Sequence, residues 1–260
     1  MPYNVVVCVK QVPDTTDVRI DPETKTLVRE GVPSIVNPFD TYALEEGIRI
    51  REKAGGKVTV LSMGPPQAVE ALKECLAVGA DEAVLLSDRA FAGSDTLATA
   101  YALSLAIKKI GASVVLCGKQ AWDGDTAQVG PGVAEELDIP HATYVRKITL
   151  DGETAVVERL IEGGYEKVEL ALPALFTVVK EINEPRLPSL RGKLRAKSAK
   201  IPVWDPKDID ADTARLGLLG SPTEVVRVFS PEVRSKGEVR QLPAREAAVY
   251  LLSKLEGAIR

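Results

Sequence analysis

The residues best able to do chemistry lie in one polar stretch, Gly118-Lys119-Gln120-Ala121-Trp122-Asp123-Gly124-Asp125-Thr126-Ala127-Gln128-Val129-Gly130-Pro131. It follows the apolar run Val114-Val115-Leu116-Cys117, which reads as a buried strand ending at Gly118. Asp125 and Thr126 are natural N-cap residues, Gly130 and Pro131 fall in the first turns where proline is tolerated, and Ala134 to Leu137 continue the helix. A strand feeding a helix N-terminus leaves backbone N–H groups pointing outward at the positive end of a dipole, which suits a phosphate. An ordinary strand–loop–helix connection has the same shape, so the rest of the chain must decide.

Other chemistries find little support. The single histidine, His141, cannot build a His-rich metal site or a Ser-His-Asp triad unaided. Cys8, Cys75 and Cys117 form neither a disulfide framework nor a Cys-x-x-Cys pair, and read as reduced packing residues of a cytoplasmic protein. The 260 residues are 45% hydrophobic and 27% charged, which fits a globular chain with one large domain or one domain plus appendages. A net charge of −4 leaves no global basic footprint for nucleic acid. No apolar run approaches the ~20 residues of a membrane span, and Met1-Pro2-Tyr3-Asn4 does not open a signal-peptide pattern.

The elements that must position the polar stretch alternate. Asn4 to Val9 reads as a buried strand, and Arg19 to Glu30 as an exposed hairpin around Asp21-Pro22-Glu23-Thr24. Asn37-Pro38-Phe39-Asp40 breaks the chain before a helix capped by Asp40 or Thr41 and ended by Gly55-Gly56. Strands follow at Lys57 to Ser62, Glu82 to Ser87 and Val114 to Cys117. Helices intervene from Gln67 to Val78 and from the Ser94-Asp95 cap to Ile110. This rhythm predicts a mostly parallel, doubly wound α/β sheet with helices on both faces. Ligands of such sheets lie at the carboxyl ends of strands near a switch in strand order. The loops Cys8 to Pro13, Met63 to Pro66 and Gly118 to Asp125 should open onto that one edge.

Beyond Pro140, Thr143 to Leu150, Ala155 to Ile161 and Glu166 to Leu172 predict an antiparallel extension, and Ala174 to Val179 a return to the main sheet. From Pro185 to Ser230 helix signals are few. The apolar groups Leu216, Leu218, Leu219, Val225, Val226, Val228 and Phe229 favour an arm ordered on a partner over a free tail. A helix from about Ala244 to Gly257 ends the chain.

The loops carry a recognisable set: Cys8-Val9-Lys10-Gln11-Val12-Pro13, Val36-Asn37-Pro38-Phe39-Asp40, Ser62-Met63-Gly64-Pro65, Gly118 through Asp125, Glu162-Gly163-Gly164-Tyr165-Glu166, Leu172-Pro173-Ala174-Leu175 and Asn183-Glu184-Pro185-Arg186. In this order and spacing, over nearly the whole chain, they resemble the beta subunits of electron transfer flavoproteins. The resemblance implies an adenine nucleotide alpha-hydrolase-like, Rossmann-like fold and a heterodimer with an alpha subunit that holds FAD. It divides the chain into a nucleotide-binding domain over 1–184, a partner recognition loop over 185–200, and a C-terminal arm and helix contacting the alpha subunit over 201–260. The positions corresponding to the family's nucleotide contacts are Cys8, Asn37, Pro38, Phe39, Asp40, Met63, Gly118, Lys119, Gln120, Ala121, Trp122, Asp123, Gly124, Asp125, Thr126, Ala127, Gln128 and Val129. No side chain is implied as acid or base, and no metal.

The family divides by the cargo of that pocket, AMP in common members and a second FAD reduced by NADH in electron-bifurcating ones. The run from Asp123 to Pro131 resembles the bifurcating form. Gly124 permits close backbone approach to a pyrophosphate, and Thr126 and Gln128 supply neutral donors. Asp123 and Asp125 remain, so charge alone leaves FAD and AMP both open. In the bifurcating reading, electrons from NADH divide between ferredoxin or flavodoxin and the alpha-subunit FAD, which serves an acyl-CoA dehydrogenase or similar partner. A nucleotide-binding scaffold subunit without redox work is the other alternative. Leu190, with Leu187 and Leu194 as rivals, matches the leucine that the family docks on the dehydrogenase. Arg191, Lys193, Arg195 and Lys197 would form its charged rim; a solvated basic loop is the simpler reading. Trp122 could stack on a ring, and Trp204 packs the arm.

Overall fold

The computed structural model describes residues 1–14, 34–226, 237 and 239–258. Two units divide the chain, Met1–Arg227 and Val228–Arg260. The boundaries expected at residues 184 and 200 both fall inside the first. In chain order that unit contains Tyr3–Cys8 (β1), Gln11–Pro13 (β2), Ser34–Val36 (β3), Pro38–Ala54 (α1), Gly56–Met63 (β4), Val69–Val78 (α2), Glu82–Leu86 (β5) and Thr96–Ile110 (α3). It continues with Val114–Gly118 (β6), Val129–Leu137 (α4), His141–Asp151 (β7), Thr154–Ile161 (β8), Gly164–Ala171 (β9), Ala174–Val178 (β10), Leu190–Ser198 (α5) and Val203–Trp204 (β11). The second unit contains Ala244–Ala258 (α6).

Among the described residues, nine strands form one sheet in the order β11-β5-β4-β1-β6-β10-β7-β8-β9. Neighbours from β11 to β7 run parallel, and β7-β8-β9 are antiparallel, as the alternation and turns predict. The β-branched run of β1 explains its central place, because both faces of the strand are covered. Val5 and Val7 join Leu44 and Ile48 of α1 and Leu72 of α2 in one core layer, while Val6 joins Tyr101 and Ile107 of α3 and Val133 of α4 in the other. From β1 the chain moves outward through β4 and β5, then returns to place β6 on the other side of β1. That reversal puts a crevice between the carboxyl ends of β1 and β6, where Cys8 lies opposite Cys117.

Several local expectations need correction. The N-cap of α1 is Asn37, not Asp40 or Thr41, because the buried Asp40 turns its carboxylate into the crevice. Helix α4 starts at Val129 after Gln128, not from a cap at Asp125 or Thr126. Asp125 and Ala127 adopt φ of 52° and 56°, so the loop winds through two left-handed residues before the helix can begin. Such conformations cost a non-glycine residue roughly 1–3 kcal/mol each and concentrate at functional sites. After Pro185, where helix signals are few, the chain forms α5 and β11, and Ile209 and Leu216 are buried in the first unit without a partner. Leu218, Leu219, Val225 and Val226 remain exposed. The hairpin expected over Arg19 to Glu30, and Val228 and Phe229, lie outside the described residues. No described helix is long and apolar enough to cross a membrane.

Candidate functional site

The crevice is built around Asp40. Its carboxylate accepts the Lys10 backbone N–H at 2.7 Å and the Gly118 N–H at 3.2 Å, joining the ends of β1 and β6 to the first turn of α1. Burial pushes the Asp40 carboxyl up to about 7, against the pull of the hydrogen bonds from Lys10, Asn37 and Gly118 and the nearby Lys10 charge. Gly118 is required there: a Cβ would lie 2.4 Å from Asp40 Oδ1 and 2.6 Å from the Phe39 carbonyl carbon. Asn37, only 1% exposed, donates through Nδ2 to the Gln120 carbonyl at 2.9 Å and accepts the Trp122 N–H at 3.0 Å on Oδ1. Its own N–H donates to the Lys10 carbonyl at 2.8 Å. Three loops that are distant in sequence are thus fastened through two polar side chains of the Asn-Pro-Phe-Asp turn.

The polar stretch then arches over the edge. The Lys119 N–H donates to the Val178 carbonyl, and its ammonium lies 5.1 Å from the Phe39 ring and 5.8 Å from the Tyr144 ring. Trp122 is 53% exposed, and Asp123, Gly124, Asp125, Thr126 and Gln128 are exposed with it. The Lys10 ammonium holds Asp123 at 2.6 Å, and the Gln120 amide donates to the Asp125 carboxylate. The backbone N–H groups of Gly124, Thr126, Ala127 and Gln128 engage no acceptor among the described residues, and the first N–H groups of α4 have no partner within their own helix. Gly130 lets α4 start close on the sheet, since a Cβ would lie 2.4 Å from Thr177 Cγ2. This set offers backbone donors and neutral side chains to a phosphate, while both carboxylates of the loop are already engaged.

The structure therefore brings Cys8, Asn37 to Asp40, and Gly118 to Val129 together. Met63 ends β4, next to β1 on the side away from β6. Lys10 and Tyr144 also belong to this edge and were missing from the sequence-based set. Lys10 stood inside the motif Cys8 to Pro13, but nothing local indicated its pairing with Asp123, far along the chain.

The segment carrying Leu190 is fastened to the same helix. Asn183 Nδ2 donates to the Tyr42 carbonyl and to Glu46, both at 3.0 Å. Arg186 binds Glu45 at 2.8 Å and Glu52 at 2.6 Å, and Glu45, 2% exposed, also receives Arg49 at 2.6 Å. Burial pushes the Glu45 carboxyl up, but the Arg186 and Arg49 hydrogen bonds outweigh it and hold the group below its ordinary range. The Ser189 hydroxyl caps α5 by accepting the Gly192 N–H. Gly192 and Ala196 press toward α2, and Arg195 donates to the carbonyls of Leu76 and Ala80 at its C-terminal end. Leu187, Leu190 and Leu194 stay 89%, 77% and 64% exposed. Leu190 and Leu194, four residues apart, share one face of α5.

Comparison with known proteins agrees with this architecture. The family description "Electron transfer flavoprotein domain" matches residues 24–209. Electron transfer flavoprotein subunit beta of Thermoanaerobacterium thermosaccharolyticum is 56% identical over 253 residues, covering 97% of both chains. The protein of the same name from Clostridium acetobutylicum is 54% identical over 97% of this chain and 98% of its own. Caffeyl-CoA reductase-Etf complex subunit CarD of Acetobacterium woodii is 50% identical over 97% of both. With a parallel sheet that places its polar loop at the switch point, and relatives aligned from end to end, the chain belongs to the electron transfer flavoprotein beta-subunit family.

Proposed function

We propose that this chain pairs with an electron transfer flavoprotein alpha subunit and holds FAD at the crevice between β1 and β6. In this reading NADH is the donor. Electrons divide between ferredoxin or flavodoxin and the alpha-subunit FAD that serves an acyl-CoA dehydrogenase or a similar flavin enzyme. The observation that carries the reading is the loop from Gly118 to Val129, with its unengaged N–H groups, engaged carboxylates and a glycine at position 124. When bound, FAD supplies the redox chemistry, accepting a hydride and passing electrons on. The chain's own work is positioning: Asn37 and Asp40 hold the loop, its unengaged N–H groups would receive the phosphates, and the Lys119 ammonium adds a cation near two aromatic rings. The name of the Acetobacterium relative, a subunit of a caffeyl-CoA reductase complex, supports a CoA-ester partner. The exposed leucines of α5, rimmed by Arg191 and Lys193, are the proposed contact.

The test is the cofactor content of the purified heterodimer, released and separated, followed by anaerobic titration with NADH. The expected result is two FAD per heterodimer and bleaching of flavin absorbance by NADH. One FAD with one AMP refutes the bifurcating reading in favour of a structural nucleotide. No flavin at all leaves a scaffold subunit.

A further inference from the structure

Two carboxylates in a loop that faces phosphates are an obstacle, since each would repel an anionic ligand. Asp125 is turned to the Gln120 amide. Asp123 is held by the Lys10 ammonium at 2.6 Å, across the crevice from another loop. Lys10 is fixed on its main chain at both ends, donating its N–H to Asp40 and accepting the Asn37 N–H. Its ammonium is therefore presented from a rigid base, although the side chain is 46% exposed. A Cβ on Gly124 would lie 3.9 Å from Lys10 Nζ, so the charge sits beside bare backbone at the start of the run of unengaged N–H groups.

Resting on the nucleotide reading above, we propose that Lys10 serves the pocket by neutralising Asp123, and that this pairing sets the charge a phosphate meets. With the pair intact, the two loops contribute no net charge at this point and the N–H groups attract the ligand. Without Lys10, Asp123 becomes a bare carboxylate at the mouth. Without Asp123, Lys10 is free to face the phosphate. The inference holds for FAD and for AMP, because both bring a phosphate to the same loop.

The experiment uses the heterodimer stripped of its beta-subunit nucleotide and titrates AMP and FAD calorimetrically at two salt concentrations. Lys10→Met should weaken whichever nucleotide the wild type binds by about 10- to 100-fold, and Lys10→Arg by far less. Asp123→Asn should bind at least as tightly as wild type, with a steeper salt dependence. Lys10→Met/Asp123→Asn should return to within about threefold of wild type. If Asp123→Asn weakens binding as much as Lys10→Met, or the double variant is not rescued, the pair merely braces the loop and the inference fails. If the wild type binds neither nucleotide, the functional reading falls and the inference with it.

Discussion

Replacing Asp40 with Asn tests the centre of the site through pH. Burial raises the Asp40 carboxyl from 3.8 to about 7 in the folded chain. A carboxyl that holds its proton more tightly when folded stabilises the fold below the unfolded value. That contribution is lost as pH rises from about 4 through 7. At about 1.4 kcal/mol per unit, the loss is on the order of 4 kcal/mol between pH 4 and pH 8. Asn cannot titrate, and its amide can serve only one of the two N–H donors, from Lys10 and Gly118, that Asp40 accepts. At pH 4.5 the variant should therefore be less stable than wild type by about 1–3 kcal/mol, the cost of an unsatisfied donor. At pH 8 the difference should close or reverse. Urea unfolding of both proteins, nucleotide-free and followed by tryptophan fluorescence at intervals of half a pH unit, measures this difference and cancels every other titrating group. A difference that stays flat across the range means that the crevice does not hold a displaced carboxyl, and the account of Asp40 is wrong.

Two further perturbations address the clamp and the leucine face. Arg186→Met removes one partner from the buried Glu45 but leaves Arg49, so the fold should lose about 2–3 kcal/mol in urea unfolding, below the range for a fully orphaned charge. A loss under about 0.5 kcal/mol would class the contact with ordinary surface pairs. Leu190→Ala should change stability by no more than about 0.5 kcal/mol, since the side chain is 77% exposed, yet slow electron transfer with the dehydrogenase by about 30-fold while flavin content stays constant. Unchanged transfer would move the contact to Leu187 or Leu194, or off the helix altogether.

The sheet was legible because its strands are short runs of Val, Leu and Ile separated by turn residues, and burial on both faces needs nothing subtler. The antiparallel extension was legible from Asp151-Gly152 and Gly163-Gly164. Helix starts were less so. Asp125 and Asp40 carry N-cap chemistry, but Gln120 takes the carboxylate of the first, and the N–H groups of Lys10 and Gly118 take that of the second. Helix α5 has no local signal because its sequence is basic and its leucines face outward; what fixes it is Gly192 against the Ala77 carbonyl and Arg195 on the end of α2, both non-local. The site motifs could be read one by one, but the ion pair between Lys10 and Asp123 depends on two loops meeting, which no local pattern encodes.

Helix α1 has a mechanical consequence. Its N-terminal end carries Asn37 as the N-cap and Asp40 in the first turn; about 12 Å along the axis from Asn37, Glu45 begins the grip on Arg186, with Glu52 about two turns beyond. The segment that leads into the leucine row of α5 is thus tied, through Arg186 and Asn183, to the strut from which the crevice is hung. A loop tethered by water alone would let the two ends wander independently. Here a stiff rod sets their spacing, so the segment bearing the leucines and the crevice share one rigid support.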